Sequence, residues 1–343
     1  MWHGVSMAVL AAVCGCLTVL SLATGAGEPA AGSGPKTKWD EKPVEEIRAA
    51  AETGDFKAQC ALGMAYATGK GVPQDKAEAL KWLSKSAPGL REAALQGDAD
   101  AQAALGVLYA KGLVVDRDYA EALEWLSKAA EQGDAFAQGA VGLMYARGQG
   151  TPRSDAEAVK WFRKAAEQGE PRAQGALGTL YSSGKGVPKD DAEAVKWYRK
   201  AAEQGDAEAQ YQLGIMHLEG KGLRHDKPEA DTWFRRAALQ GHADAQAFLG
   251  LMYVTGKGVP PDVIQAYMWL SLAGAQPHAK DDDGKAMAAR IDGAREFVVQ
   301  RMTADQMIEA QKLAREFKPE REPPQGASAP VPAENRLAPP GGK

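Results

Sequence analysis

The sequence predicts an all-α fold, a right-handed α-solenoid of about six helix-turn-helix repeats, and three observations predict it. Six tryptophans, Trp82, Trp125, Trp161, Trp197, Trp233 and Trp269, are spaced by 43 residues once and then by 36 four times running. A Leu-Gly pair recurs ahead of each, and a glycine-containing turn followed by an acidic helix start separates the pair from the tryptophan. Self-similarity at a period of 20–50 residues marks a solenoid, whose units bury their apolar faces only by stacking on one another. Such arrays present long surfaces, so the expected mode of action is holding a partner.

Helix A of the first block is expected over about Phe56 to Ala67. Ala58, Leu62 and Tyr66, four apart, fall on one helical face. Their column continues as Leu62, Leu105, Val141, Leu177, Leu213 and Leu249, beside a column of Gly63, Gly106, Gly142, Gly178, Gly214 and Gly250. Glycine inside a helix costs about 1 kcal/mol against alanine, so its return in every block implies close approach of a neighbouring helix. Helix A closes on glycine pairs such as Gly69-Lys70-Gly71 and Gly184-Lys185-Gly186, because glycine supplies the left-handed terminating conformation. These loops follow a helix rather than a strand and lack a Lys-Ser/Thr signature, so a nucleotide-phosphate role is set aside. The second block has Leu113-Val114 where others have Lys-Gly, and a different loop is expected there.

Helix B opens with pairs that read as capping boxes: Asp75/Glu78, Asp118/Glu121, Ser154/Glu157, Asp190/Glu193, Asp226/Glu229 and Asp262/Gln265. Each tryptophan stands three residues after an alanine: Ala79, Ala122, Ala158, Ala194, Ala230 or Ala266. Large against small at one-turn spacing is a packing interlock, so all six tryptophans are expected in the core. Glycines 97, 133, 169, 205 and 241 end helix B, and Asp98, Asp134 or Asp206 caps the next helix A. The first block has seven additional residues, Pro88 to Ala94, and Pro88-Gly89 is expected to break or kink helix B.

The phrase A-x-A-Q-x-x-L-G-x-x-Y-x-x-G-x-G-V-x-x-D-x-x-E-A-x-x-W-x-x-K-A-A-E-Q-G resembles the Sel-one-like repeat family, a longer-looped relative of tetratricopeptide repeats. Residues 176–205 fit it best, and Met302 to Phe317 resembles the closing helix of bacterial arrays. His217 departs from the usual tyrosine. Some members carry a disulfide in each repeat, and this chain lacks those cysteines. The resemblance implies a protein-interaction scaffold of the kind found in secretion, envelope and signalling assemblies.

The organisation expected is a signal peptide over 1–26, a linker over 27–42, the array over 43–275, capping helices over 276–318 and a disordered proline-rich tail over 319–343. Residues 43–53 read as a lone helix B covering the first repeat, and 285–301 and 304–317 as helices closing the other end. The first 27 residues contain no Asp, Glu, Lys or Arg, and small residues follow the apolar run from Met7 to Ala23, as in an export signal cleaved near Gly25 or Ala26. This predicts a periplasmic or secreted protein. The n-region lacks Lys and Arg, which leaves an uncleaved N-terminal anchor, or lipid attachment at Cys16, as alternatives. Beyond these residues no apolar run is long enough to span a bilayer. Signal removal would leave Cys60 as the lone cysteine, read as a small helix residue, with no internal disulfide.

Net charge is −4 and the pI is near 5.9, which offers no basic field for nucleic acid. The five histidines show no metal-ligand spacing, no Ser lies in G-x-S-x-G, and the recurrent carboxylates are explained as caps. Three acids in Lys280 to Lys285 lack the alternation of a calcium loop. No enzyme activity, cofactor or metal is expected. A non-catalytic adaptor of the cell envelope is the leading reading; a receptor for a glycan or peptide fragment is the alternative, and a hydrolase ranks last.

The docking face expected is on helix A, away from its core column: Lys57, Cys60, Met64 and Thr68 in the first block, and their equivalents. Its outer positions vary in charge from copy to copy. Gly139 and Gly175 open its middle, Phe136, Arg147 and Arg172 project beside the opening, and Lys111, Tyr211 and Ile215 flank it. A partner peptide, extended or helical, is expected there, with Tyr211 as an aromatic anchor.

Overall fold

The computed structural model describes residues 42–112, 114–256, 260–276 and 282–319. Fifteen α-helices and no strand occur among the described residues. They are α1 (Val44–Glu52), α2 (Phe56–Thr68), α3 (Lys76–Leu95), α4 (Ala99–Lys111), α5 (Tyr119–Glu131), α6 (Ala135–Arg147), α7 (Asp155–Glu167), α8 (Pro171–Ser183), α9 (Asp191–Glu203), α10 (Ala207–Glu219), α11 (Lys227–Leu239), α12 (Ala243–Thr255), α13 (Val263–Gly274), α14 (Asp282–Val299) and α15 (Ala304–Glu316). Helices α2 to α13 form six A/B pairs, each packed on the next, which is an α-solenoid. The signal, most of the linker and the tail lie outside the described residues.

Helix B begins where a side chain accepts the first free amides. Asp118 takes the amides of Ala120 and Glu121, and Asp190 those of Ala192 and Glu193. The reciprocal half of the expected capping box does not form in these repeats. Glu78, Glu157 and Glu193 turn outward to Lys81, Lys160 and Lys196 one turn on, and Glu121 accepts from Trp125 Nε1 at 3.2 Å. A lysine or indole partner within the first turn competes with the cap backbone for the same oxygens. Among the described residues only Thr303/Gln306, opening α15, makes both bonds.

The helix-A glycines lie against helix B of their own pair. A Cβ on Gly178 would stand 2.8 Å from Tyr198 Cδ1, and one on Gly214 2.8 Å from Phe234 Cε1. The residue pressed into this gap is the one after each tryptophan: Leu83, Leu126, Phe162, Tyr198, Phe234 or Leu270, all nearly or fully buried. The tryptophans sit one position round the helix. Trp82, Trp125, Trp233 and Trp269 are buried, but Trp161 and Trp197 are half-buried, contrary to the expectation of a uniform core column. Their outer faces are covered by a cation one turn on: Lys164 Nζ lies 4.2 Å from the Trp161 ring centre and Lys200 Nζ 4.3 Å from that of Trp197.

The second glycine of the A–B loop, at Gly71, Gly150, Gly186 and Gly222, meets the preceding repeat or α1. A Cβ on Gly186 would lie 2.3 Å from the Asp155 carbonyl oxygen, and one on Gly222 2.2 Å from that of Asp191. Gly71 likewise faces Val44 of α1, which places α1 as the helix B of a missing repeat. The second block keeps the same backbone in spite of its changed sequence: Val114 stands in the left-handed region at φ 69°, an uncommon state for a β-branched residue.

A ladder of glutamines ties the repeats together. Gln102, Gln138, Gln174, Gln210 and Gln246 of the A helices each donate to the carbonyl eight residues back, at the end of the preceding helix B. Their own carbonyl oxygens accept from Gln132, Gln168, Gln204, Gln240 and Gln276, thirty residues on, at 2.7–2.9 Å. These buried amides satisfy backbone groups that helix ends leave open.

Pro88-Gly89 does not break α3, which runs unbroken for 20 residues. Seven residues are nearly two turns of 3.6, so the insertion lengthens the helix and returns its apolar face to register: Leu83, Leu90 and Ala94 share one cluster. At the other end α14 and α15 cover α13, with Ile291 and Val298 packed on Leu270 and Phe317 edge-on to Trp269 at 5.6 Å.

Candidate partner-binding face

Each A helix opens on a side-chain acceptor for its third amide: Asp55, Asp98, Asp134, Glu170, Asp206 and, in the last repeat, His242 through Nδ1. Stacking brings these caps against the preceding A helix. Lys57 Nζ bonds Asp98 at 2.8 Å, and His242 Nε2 meets Glu208 at 3.0 Å. With Nδ1 accepting from the Ala245 amide, Nε2 carries the hydrogen and donates to Glu208. Cβ positions on Gly139 and Gly175 would lie 3.9 Å from Glu170 Oε2 and Asp206 Oδ1, so these small residues leave room for the neighbouring caps.

Burial pushes Asp134, Glu170 and Asp206 above the ordinary carboxylate range. The Arg172 guanidinium opposes the rise at Glu170 and Asp206. In this acidic row Glu170 is buried and Asp134 and Asp206 are half-buried, whereas the sequence marks the aspartates only as caps. The signal available was the departure of Glu170 and His242 from the aspartate column, at positions that touch the preceding helix.

The expected site residues are not all on one accessible patch. Phe136 is 7% exposed, packed with Val107, Leu126 and Val141 between α4, α5 and α6. It does not project, because its ring belongs to the core cluster of the second and third helix pairs. Tyr211 is half-buried, its ring stacked on His242 at 4.9 Å and flanked by Phe234 at 5.8 Å and Phe248 at 6.1 Å. Burial raises its phenol well above the usual range. Ile215, one turn on, is half-buried beside Phe234. Arg172 is half-buried at the start of α8, near the Asp206 cap of α10. Lys111 and Arg147 close α4 and α6 at the other end of the face, and burial draws the Arg147 guanidinium down. Gly175, half-buried, and Thr179, exposed, form the open centre between Leu143 and Ile215. Cys60 is buried, bonded to Ser86 Oγ at 3.2 Å. Among the described residues no group of three His, Cys, Asp or Glu side chains could hold a metal, and no helix is long and apolar enough to cross a membrane.

Stacked helix pairs with a continuous A-helix face define an α-solenoid repeat protein. The Sel1 repeat model matches residues 56–87, 99–134, 135–170, 171–206, 207–242 and 243–278, and the chain belongs to this family. Its repeats generally serve as protein-interaction scaffolds and are typically non-catalytic. The chain is similar to a Sel1 repeat protein from Oxalobacter formigenes, at 32% identity and TM-score 0.56, over 70% of this chain and 94% of that one. It is also similar to a protective antigen of uropathogenic Escherichia coli strains with an SLR fold (27% identity, TM-score 0.32, 80% and 86% covered). A putative Sel1 repeat protein from Klebsiella pneumoniae subsp. pneumoniae matches at 26% identity, TM-score 0.39, with 60% and 96% covered. The curated proteins contain no match.

Proposed function

We propose that this protein is a non-catalytic adaptor of the bacterial cell envelope that binds a partner segment along its A-helix face, the concave side of the solenoid. The observation that carries this reading is the open centre at Gly175 and Thr179. No atom outside α8 and its chain neighbours lies within 3.4 Å of a Cβ built on Gly175. Arg172 lies at one end of this opening, and the Tyr211–Ile215 turn borders it. A segment with an apolar side chain for the Ile215 turn and a carboxylate for Arg172 suits these edges.

Because Phe136 is core, the test leaves it in place. Gly175→Trp should fill the opening and leaves in place Thr179, whose Oγ1 accepts from the buried Tyr198 hydroxyl at 3.0 Å. A partner captured from the envelope fraction should lose affinity for this variant at least about tenfold, equivalent to about 1.4 kcal/mol. Affinity within twofold of the parent would sink the site. The envelope assignment rests on the uncharged apolar start, Met1 to Gly27. N-terminal sequencing of the periplasmic protein should give a start between Gly25 and Glu28. A Met1 start in the periplasmic or membrane fraction would support the uncleaved anchor, and a lipidated Cys16 start the lipoprotein route.

A further inference from the structure

The glutamine ladder lacks one rung, and the gap is an open cleft. Seven residues after its tryptophan, each later helix B carries the glutamine that donates to the helix-A glutamine: Gln132, Gln168, Gln204, Gln240 and Gln276. In α3 that position is Gly89, which has no side chain. The chain's own Gln96 is carried nearly two turns onward by the insertion, where its Nε2 lies 3.4 Å from Glu92. Gln59 still donates to the Ala51 carbonyl at 3.0 Å, but no donor among the described residues reaches its Oε1. It is 8% exposed. A cleft of about 380 Å³ lies here, lined by Gly54, Phe56, Gln59, Lys85, Gly89 and Gln96 among others.

The other repeats state what fits this place. Gln168 Nε2 donates both to Gln138 Oε1 at 2.8 Å and to the Gly133 carbonyl at 3.0 Å, and Gln276 Nε2 both to Gln246 Oε1 at 2.9 Å and to the Gly241 carbonyl at 2.8 Å. Gly54 stands where Gly133 and Gly241 stand, at the end of the preceding helix B, and it lines the cleft. An acceptor pair is therefore preformed and its two-hydrogen donor is missing. An acceptor that faces the cleft without a protein donor favours a ligand that supplies one.

We infer that this cleft binds a primary carboxamide, presented as the glutamine side chain of a partner peptide. Its NH₂ donates to Gln59 Oε1 and the Gly54 carbonyl, as Gln168 does internally. The Phe56 ring, closed on Gly89, walls the methylenes. The site is separate from the A-helix face and stands whether or not a partner binds there.

The test titrates the full chain with acetyl-Ala-Gln-Ala N-methylamide, its Glu analogue and propionamide, followed by ¹⁵N-edited chemical shifts. Glutamate has the same shape but no amide hydrogens. The glutamine peptide should bind at least about tenfold more tightly than the glutamate peptide, the weight of one lost hydrogen bond. Phe56→Ala with Gly89→Gln supplies the missing rung from within, since a Cβ on Gly89 otherwise meets Phe56 Cβ at 2.8 Å. Deleting residues 88–94 together with Phe56→Ala does the same by returning Gln96 to the position of Gly89. Either variant, folded by circular dichroism, should lose glutamine-peptide binding at least about tenfold. Equal binding of the Gln and Glu peptides, no binding, or binding unchanged in a folded rung-restoring variant overturns the assignment. Propionamide binding as tightly as the peptide would make a free amide the ligand and overturn the peptide source.

Discussion

Tyr198 is 2% exposed and lies on Gly178, whereas its neighbour Trp197 is half-buried under Lys200. Truncating the first opens a cavity between two helices, and truncating the second mostly uncovers a rim. Tyr198→Ala should cost about 3–5 kcal/mol and Trp197→Ala about 1–2, read as urea midpoints at constant slope. The reverse order would show that the tryptophan column carries the inter-helix contact. Asp134 tests the acidic row. Its folded pKa is raised by burial, so the native state binds protons more tightly and loses stability as pH rises from the ordinary aspartate range through the folded value. Asp134→Asn keeps a good cap and removes that cost. The variant should be more stable than its parent above the folded pKa, by less than about 1 kcal/mol at this half-buried site, and the gain should fade as pH falls. A constant difference from pH 4 to 8 would rule out the linkage.

At the scale of elements, the interlock between repeats is made by amides as much as by apolar surface. Gln174 joins the Ala166 carbonyl of α7 to Gln204 at the end of α9. Gln174→Met keeps the volume and strands both partners, so it should cost about 1–3 kcal/mol in thermal or urea unfolding. An unchanged midpoint would mean that water replaces the side chain. The helix pairs, their caps and the glycine approach were legible from columns alone, because each is a local or one-turn relation. The ladder was not read, although both glutamine columns stand in the repeat phrase. Thirty residues separate the partners, and no periodicity within a helix links them. The fate of Pro88 was misread for a related reason. Proline removes one hydrogen bond, but the packing of Leu90, Ala93 and Ala94 beyond it keeps α3 continuous.

For the whole molecule, nearest-neighbour packing implies that one unit can be removed. Deleting residues 171–206 joins Glu170 to Ala207, which keeps an acidic cap at the start of α10. The shortened chain should fold, lose the helical signal of one pair in circular dichroism, and unfold at a lower midpoint. A chain that fails to fold would mean that contacts beyond adjacent repeats hold the array. Of the expected docking residues, Tyr211 and Ile215 sit together, Arg172 lies one repeat away, Lys111 and Arg147 close the far end, and Phe136 is core. Residue variability along a column marks a helix face but not the depth of its side chains.

The sequence by itself determined the repeat, the two helices of each unit, their ends and the glycine column, since these follow from propensity, capping and one-turn spacing. Tertiary structure alone decided which member of a neighbouring pair is buried, as with Tyr198 over Trp197, and which distant amides meet. It also decided that seven inserted residues add nearly two turns to an unbroken α3 and leave an empty rung at Gly89. Burial and pairing depend on the rotation and offset of one helix against another, and those are set by the packing of the whole stack rather than by any window of the chain.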